Sequence, residues 1–90
     1  SASDPKIAID DYGSAIIAWT EKDGNNISQI FKSEFRNGSW TIPLNLSDNI
    51  SPDSQDTLYS EIVTDNVGHA IIVWSQKDGS KYQIFKSEYR

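Results

Sequence analysis

Ala15-Ile16-Ile17-Ala18-Trp19 returns as Ala70-Ile71-Ile72-Val73-Trp74, a step of 55 residues. The recurrence extends on both sides. Upstream, Ile7-Ala8-Ile9-Asp10-Asp11-Tyr12-Gly13 matches Ile62-Val63-Thr64-Asp65-Asn66-Val67-Gly68. Downstream, Lys22-Asp23-Gly24 matches Lys77-Asp78-Gly79. After a one-residue gap, Gln29-Ile30-Phe31-Lys32-Ser33-Glu34-Phe35-Arg36 matches Gln83-Ile84-Phe85-Lys86-Ser87-Glu88-Tyr89-Arg90. More than half of the aligned positions are identical, far beyond what shared β-composition produces, so the chain is a duplication.

Each unit reads as strands separated by turns. The first strand is expected over about 6–10 and ends in a turn where Gly13 takes positive φ without steric cost. The second, 15–21, is an apolar run with little alternation, which predicts a strand covered on both faces. Asp23-Gly24 and Asp78-Gly79 carry the dipeptide that most strongly signals a hairpin. The third strand, 29–36, alternates: Phe31, Ser33 and Phe35 on one face, Lys32, Glu34 and Arg36 on the other. Asn37-Gly38 predicts a tight turn into a fourth strand over 39–44, with Trp40, Ile42 and Leu44 on one face. Pro43 donates nothing to a ladder, which suits an outer edge. The first unit is expected over 1–47, a Ser-, Asp- and Asn-rich linker over 48–57, and a second unit over 58–90 with three strands, seven in all. No segment shows the 3.6-residue period of a helix.

Composition narrows the function. The formal net charge is -5, with 13 acidic residues against 8 Lys and Arg. Phosphate and anionic membrane surfaces both call for a basic face, so no nucleic-acid or membrane partner is expected. There are no cysteines, which removes disulfides, thiolate nucleophiles and Cys-based metal sites. Mean hydropathy is -0.54, and no apolar run approaches the roughly 20 residues that span a bilayer. Ser1 to Asp4 is polar and is expected to be a tail. The matches to the N-glycosylation pattern (Asn26, Asn37, Asn45 and Asn49) are what an Asn- and Ser-rich chain produces readily.

Four-stranded antiparallel units at this spacing, joined by a loop from outer to inner edge, describe blades of a β-propeller. The fold class expected is therefore all-β, with one complete four-stranded blade and one three-stranded blade. The Asp-x-x-Gly turn, the Ala-Ile-Ile-x-Trp strand, the Gln-Ile-Phe strand and Asn-Gly-Ser-Trp resemble bacterial repetitive β-propellers of the sialidase-like and BNR-like kind. That resemblance covers nearly the whole chain, but its motifs are structural. The Asp-box of such blades, roughly Ser-x-Asp-x-Gly-x-x-Trp, is degenerate here, since Phe35-Arg36-Asn37-Gly38-Ser39-Trp40 keeps Gly and Trp and lacks Asp. The Arg triad and Tyr nucleophile of sialidases have no counterpart, because Arg36 and Arg90 are one position in successive repeats. The chain is accordingly expected to be no enzyme and to need no cofactor.

Two blades do not close a ring, which takes about four to eight. Self-assembly of several chains, blade to blade, is the expected activity, and the homo-oligomer the expected partner. A carbohydrate-binding module with pockets between blades is the alternative; glycan would then be the ligand, and a secreted or cell-surface setting would suit it. Its candidate residues are Trp19 and Trp74 at the ends of the second strands, Trp40 on an outer strand and Tyr59 beside the linker. At the strand positions packing is the favoured role of such rings. Asp10-Asp11 and Asp65-Asn66 precede glycines and could be taken for calcium ligands, but they offer too few oxygens at the wrong spacing. His69 stands where the other repeat has Ser14, so the unit does not depend on it; no metal site is expected.

Overall fold

The structure, a computed structural model, describes residues 2–43, 45–53, 55–65 and 69–89. It is all-β, with no helix among the described residues. The strands are β1 (Ala2–Ile9), β2 (Ala15–Lys22), β3 (Ser28–Arg36), β4 (Ser39–Thr41), β5 (Thr57–Thr64), β6 (Ala70–Asp78) and β7 (Lys81–Tyr89). They form two antiparallel sheets in sequential order, β1-β2-β3-β4 and β5-β6-β7. Each sheet is one repeat, and every connection within it is a local hairpin.

Local chemistry explains the turns. Asn37 and Gly38 both have positive φ (54° and 82°), which a two-residue type I′ hairpin requires and which Asn and Gly tolerate. Asp10 closes the β1–β2 turn by accepting from the backbone N–H groups of Tyr12 (2.9 Å) and Ser14 (3.0 Å). Asp65 does the same for His69 N–H (2.9 Å), so the turn recurs with the repeat. Gly68, the counterpart of Gly13, lies outside the described residues.

Several boundaries differ from expectation. β1 begins at Ala2, so the polar start of the chain is strand. A bulge between Ser3 and Lys6 lets it continue past Pro5, which has no N–H for the ladder. The equivalent bulge lies between Leu58 and Ser60 in β5, which places Tyr59 within a strand instead of beside the linker. β4 stops at Thr41; Ile42 and Pro43 leave the sheet where proline cannot donate, and Leu44 lies outside the described residues. In the β2–β3 loop the left-handed residue is Asn26 (φ 63°), not Gly24, because Asp23 holds the loop by accepting from Asn25 and Ile27 N–H.

The two sheets pack face to face, and the core is what they enclose. Ile16 and Ala18 of β2 and Ile30 of β3 meet Ala70, Ile72 and Trp74 of β6. Ala8, Ile62, Phe85 and Tyr89 complete the cluster, and Ile50 joins it from the connecting segment. Contrary to expectation, β2 has only one face covered by a sheet: Ile17 and Trp19 point the other way and stay half-buried. A single chain offers the first sheet just one neighbour.

Candidate functional site

Because side chains alternate, each sheet has two faces, and the registers assign residues to them. Ile16, Ala18 and Thr20 pair with Glu34, Lys32 and Ile30, and together with Ala8 they form what we term the leading face of the first sheet. Ile17 and Trp19 pair with Ser33 and Phe31 on its trailing face. In the second sheet, Ile71, Val73 and Ser75 pair with Glu88, Lys86 and Ile84 on the leading face. Ala70, Ile72 and Trp74 pair with Tyr89, Ser87 and Phe85 on the trailing face.

The junction within the chain is thus leading face of the first sheet against trailing face of the second. It is not a self-complementary contact, and it leaves one face of each kind open. The trailing face of the first sheet carries Ile7, Ile9, Ile17, Trp19 and Phe35 in the open, with Phe31 already buried among them at 1% exposed. The open leading face, on the second, carries Val63, Ile71, Val73, Ile84 and the Lys86–Glu88 pair. On the leading faces the places closed at the junction stand open here, whereas on the trailing faces Phe31 is buried and its junction counterpart Phe85 is half-buried. Ile16 is 1% exposed and its counterpart Ile71 is 38%; Ile30 is 0% and Ile84 is 75%.

Polar contacts follow the same order. Lys32 lies over the Tyr89 ring, 4.6 Å from its centroid, joining the two faces by a cation–π contact. Lys32 also pairs with Glu34 (2.6 Å), which takes a second bond from Arg36 Nε (2.9 Å). Partial burial raises the Glu34 pKa, but the hydrogen bonds and charges of Lys32 and Arg36 outweigh it and hold the carboxyl below its ordinary value. At the rim, Lys6 of the first sheet pairs with Glu61 at 3.5 Å, and these are one position in successive repeats. Thr20 Oγ1 and Ser60 Oγ are buried at the junction with no hydrogen-bond partner.

The connecting segment plugs one end of the junction. Ser51 Oγ accepts from Ile30 N–H (2.9 Å) and donates to Gln29 Oε1. Ile50 N–H donates to Ile30 O (2.7 Å). From the other sheet, Gln76 Nε2 donates to the carbonyls of Pro52 (2.7 Å) and Gln55 (3.1 Å). Asp56 Oδ1 accepts from Ser28 N–H (2.9 Å), and Thr57 Oγ1 donates to Ser28 O (3.2 Å).

The four aromatic candidates fall in different settings and are not brought together. Trp74 is 3% exposed, stacked on Phe85 (6.4 Å, 12°), and its Nε1–H donates to Gln76 Oε1. Trp19 stacks on Phe31 in the same way (6.3 Å, 15°) and donates to Glu21, yet it borders a surface hollow of about 330 Å³ with Pro43, Asn45 and Leu46. Trp40 is exposed on β4, tilted against Phe35 at 5.2 Å. Tyr59 is exposed at the β5 bulge with φ 40°, a conformation unfavourable for a bulky side chain.

His69 Nδ1 lies 2.8 Å from Asp65 Oδ2, inside its own turn. Among the described residues no group of three or more His, Asp or Glu converges as metal ligands would. No helix there is long and apolar enough to cross a membrane. Sequence reasoning singled out the aromatics and missed Ile71, Val73, Ile84 and Lys86. The signal that finds them is the repeat itself, once the faces are known. Compared with protein-family models, curated proteins and solved structures, the chain finds no match.

Proposed function

We propose that the chain is a non-catalytic propeller repeat module that assembles blade to blade with further copies of itself. One observation carries the reading: the open trailing face of the first sheet and the open leading face of the second repeat the pair that already dock within the chain. Val63, Ile71, Val73 and Ile84 offer an apolar surface matching Ala8, Ile16, Ala18 and Ile30. Trp19 stacked on Phe31 offers the surface that Trp74 on Phe85 presents to Ile16. Lys86 of one copy falls over Phe35 of the next as Lys32 falls over Tyr89, and Glu61 meets the next Lys6. Closing each partly exposed Ile or Val is worth roughly 1–2 kcal/mol. Such a head-to-tail contact makes a closed ring when its rotation divides the circle and an open filament when it does not.

Light scattering behind size exclusion tests this. The expected result is a discrete multiple of the 10.1 kDa chain. Val73→Lys places a charge in the proposed junction and is expected to give a monomer with unchanged far-UV circular dichroism. A wild-type protein that stays monomeric at high concentration with its sheets intact sinks the reading.

The hollow beside Trp19 favours a second reading, carbohydrate binding, because an aromatic ring, the Glu21 carboxylate and Asn45 surround it. The two readings compete for one surface. Saturable glycan binding by wild type that Trp19→Ala abolishes would favour the lectin; silence on a glycan array would retire it.

A further inference from the structure

Asn37-Gly38 is the chain's single Asn-Gly pair, and both of its reacting groups are open. Asn37 and Gly38 are exposed, and the Asn37 side chain makes no hydrogen bond among the described residues. A Cβ built on Gly38 would meet nothing within 4 Å, so its backbone nitrogen is sterically unobstructed. In a two-residue hairpin the ladder ties the flanking pair, here Arg36 and Ser39, and leaves the N–H of the second turn residue outside it. β4, which follows, has three residues, all exposed at a sheet edge, so the hairpin opens locally at low cost.

The chain's other candidates are placed differently. Asn45 Oδ1 accepts from Ser47 N–H (2.9 Å), and Asn49 Nδ2 donates to Ser51 O and Asp53 Oδ1 (2.8 Å each). Asn25, Asn26 and Asn66 precede Asn, Ile and Val, whose side chains crowd the nitrogen that would attack. Asp23 and Asp78 also precede glycine, but a carboxylate resists attack where a neutral amide yields. The Asp23 carboxylate is held besides by Asn25 N–H (2.8 Å) and Ile27 N–H (3.1 Å).

We propose that Asn37 is a site of spontaneous covalent modification that unlatches β4. The Gly38 nitrogen gives its proton to solvent and attacks Cγ of the Asn37 side chain. The new N–C bond closes a cyclic imide, and the side-chain nitrogen leaves as ammonia. Water then adds to either ring carbonyl, and the bond from that carbonyl to the nitrogen breaks. Opening at the side-chain carbonyl gives aspartate; opening at the main-chain carbonyl gives isoaspartate. In sum a water is consumed and an ammonia released. Aspartate keeps the hairpin, because Asp tolerates the left-handed region as Asn does. Isoaspartate lengthens the backbone by a methylene, and hairpin register is fixed by loop length. Trp40 then leaves Phe35, 5.2 Å away between ring centroids, and Thr41 leaves Glu34. Either product adds a negative charge to a chain already at -5.

The test incubates the intact chain in heavy-oxygen water at mildly alkaline pH. Isoelectric focusing follows the charge, and peptide mass spectrometry maps the label. A more acidic species is expected, labelled at position 37 as both aspartate and isoaspartate. Asn37→Gly, which keeps the positive φ, is expected to abolish that species. The separated isoaspartate form should lose amide-exchange protection in β4 and keep it in β2, whereas Asn37→Asp keeps both. Label appearing first at another asparagine overturns the site. So does the absence of an acidic species after a free peptide of residues 34–41 has fully converted. Intact β4 protection in the isoaspartate form overturns the unlatching.

Discussion

Ile16 and Ile71, Ala18 and Val73, Ile30 and Ile84 are the same three places in two nearly identical sheets. In the first sheet all three are closed; in the second all three are open. On the opposite faces the order reverses: Ile72 and Trp74 are buried, while Ile17 and Trp19 are half-buried. At two of the three places the residue is the same isoleucine, so exposure there reports which neighbour is present; at the third, Val73 stands for Ala18. A sheet of this repeat has two apolar faces of different shape, and one copy of the chain can satisfy only one of each. The comparison teaches that the faces left over carry largely the residues of the two faces that dock inside the molecule.

The sharpest way to break this comparison is a pair of truncations, Ile72→Ala and Ile17→Ala. The first opens a cavity between the sheets and is expected to cost about 2–5 kcal/mol in urea denaturation. The second, at the same place on the open trailing face, is expected to cost less than about 1 kcal/mol at low protein concentration. Its effect should grow as concentration rises into the range of assembly. Equal costs at high dilution would mean that the two trailing faces are equally buried, and the comparison would fail.

The two bulges give a second contrast. Asp4 (φ 54°) and Tyr59 (φ 40°) sit at one position of the repeat, but Asp tolerates the left-handed region and Tyr does not. Tyr59→Asn is expected to raise stability by about 1 kcal/mol, and Asp4→Asn to leave it unchanged, in parallel thermal melts. A loss of stability in Tyr59→Asn would show that the exposed ring does more than its backbone costs.

Lys32 and Lys86 sharpen the comparison at the level of single contacts. Lys32→Gln removes the cation–π contact with Tyr89 and is expected to lower monomer stability by roughly 0.5–1 kcal/mol. Lys86→Gln should leave the monomer alone and weaken association, seen as a shift in the concentration midpoint of light scattering. If Lys86→Gln destabilises the dilute monomer equally, the open leading face is not open.

The smallest effect is electrostatic. Glu34 has a lowered pKa in the folded chain, so its ion pairs stabilise fully above the ordinary glutamate value, and that contribution is lost as pH falls below it. Denaturation midpoints should decline through that acidic window, and Glu34→Gln should flatten the decline by a few tenths of a kcal/mol. A variant with the wild-type slope would assign the pH dependence elsewhere.

Much of the architecture was legible because it is written in short-range chemistry. Asn37-Gly38 is a type I′ turn wherever it falls between two alternating runs, and Asp10 caps its own turn with its own carboxylate. Other features rest on longer-range pairing. The bulge at Asp4 depends on continuing β1 across Pro5, and the Asp23 side chain, not Gly24, shapes the β2–β3 loop. The run Ala15 to Trp19 announces two apolar faces, and it has them. That only one is covered depends on how many sheets are at hand.

By itself the sequence determined the duplication, the all-β class, the order of strands and most turns, because alternation and turn chemistry act within a few residues. Only the tertiary structure decided which face of each sheet is closed. Two repeats with nearly the same residues carry no local mark that one is the donor of a leading face and the other of a trailing face. Burial is set by contact between distant strands, and so is the exposure of the faces that remain.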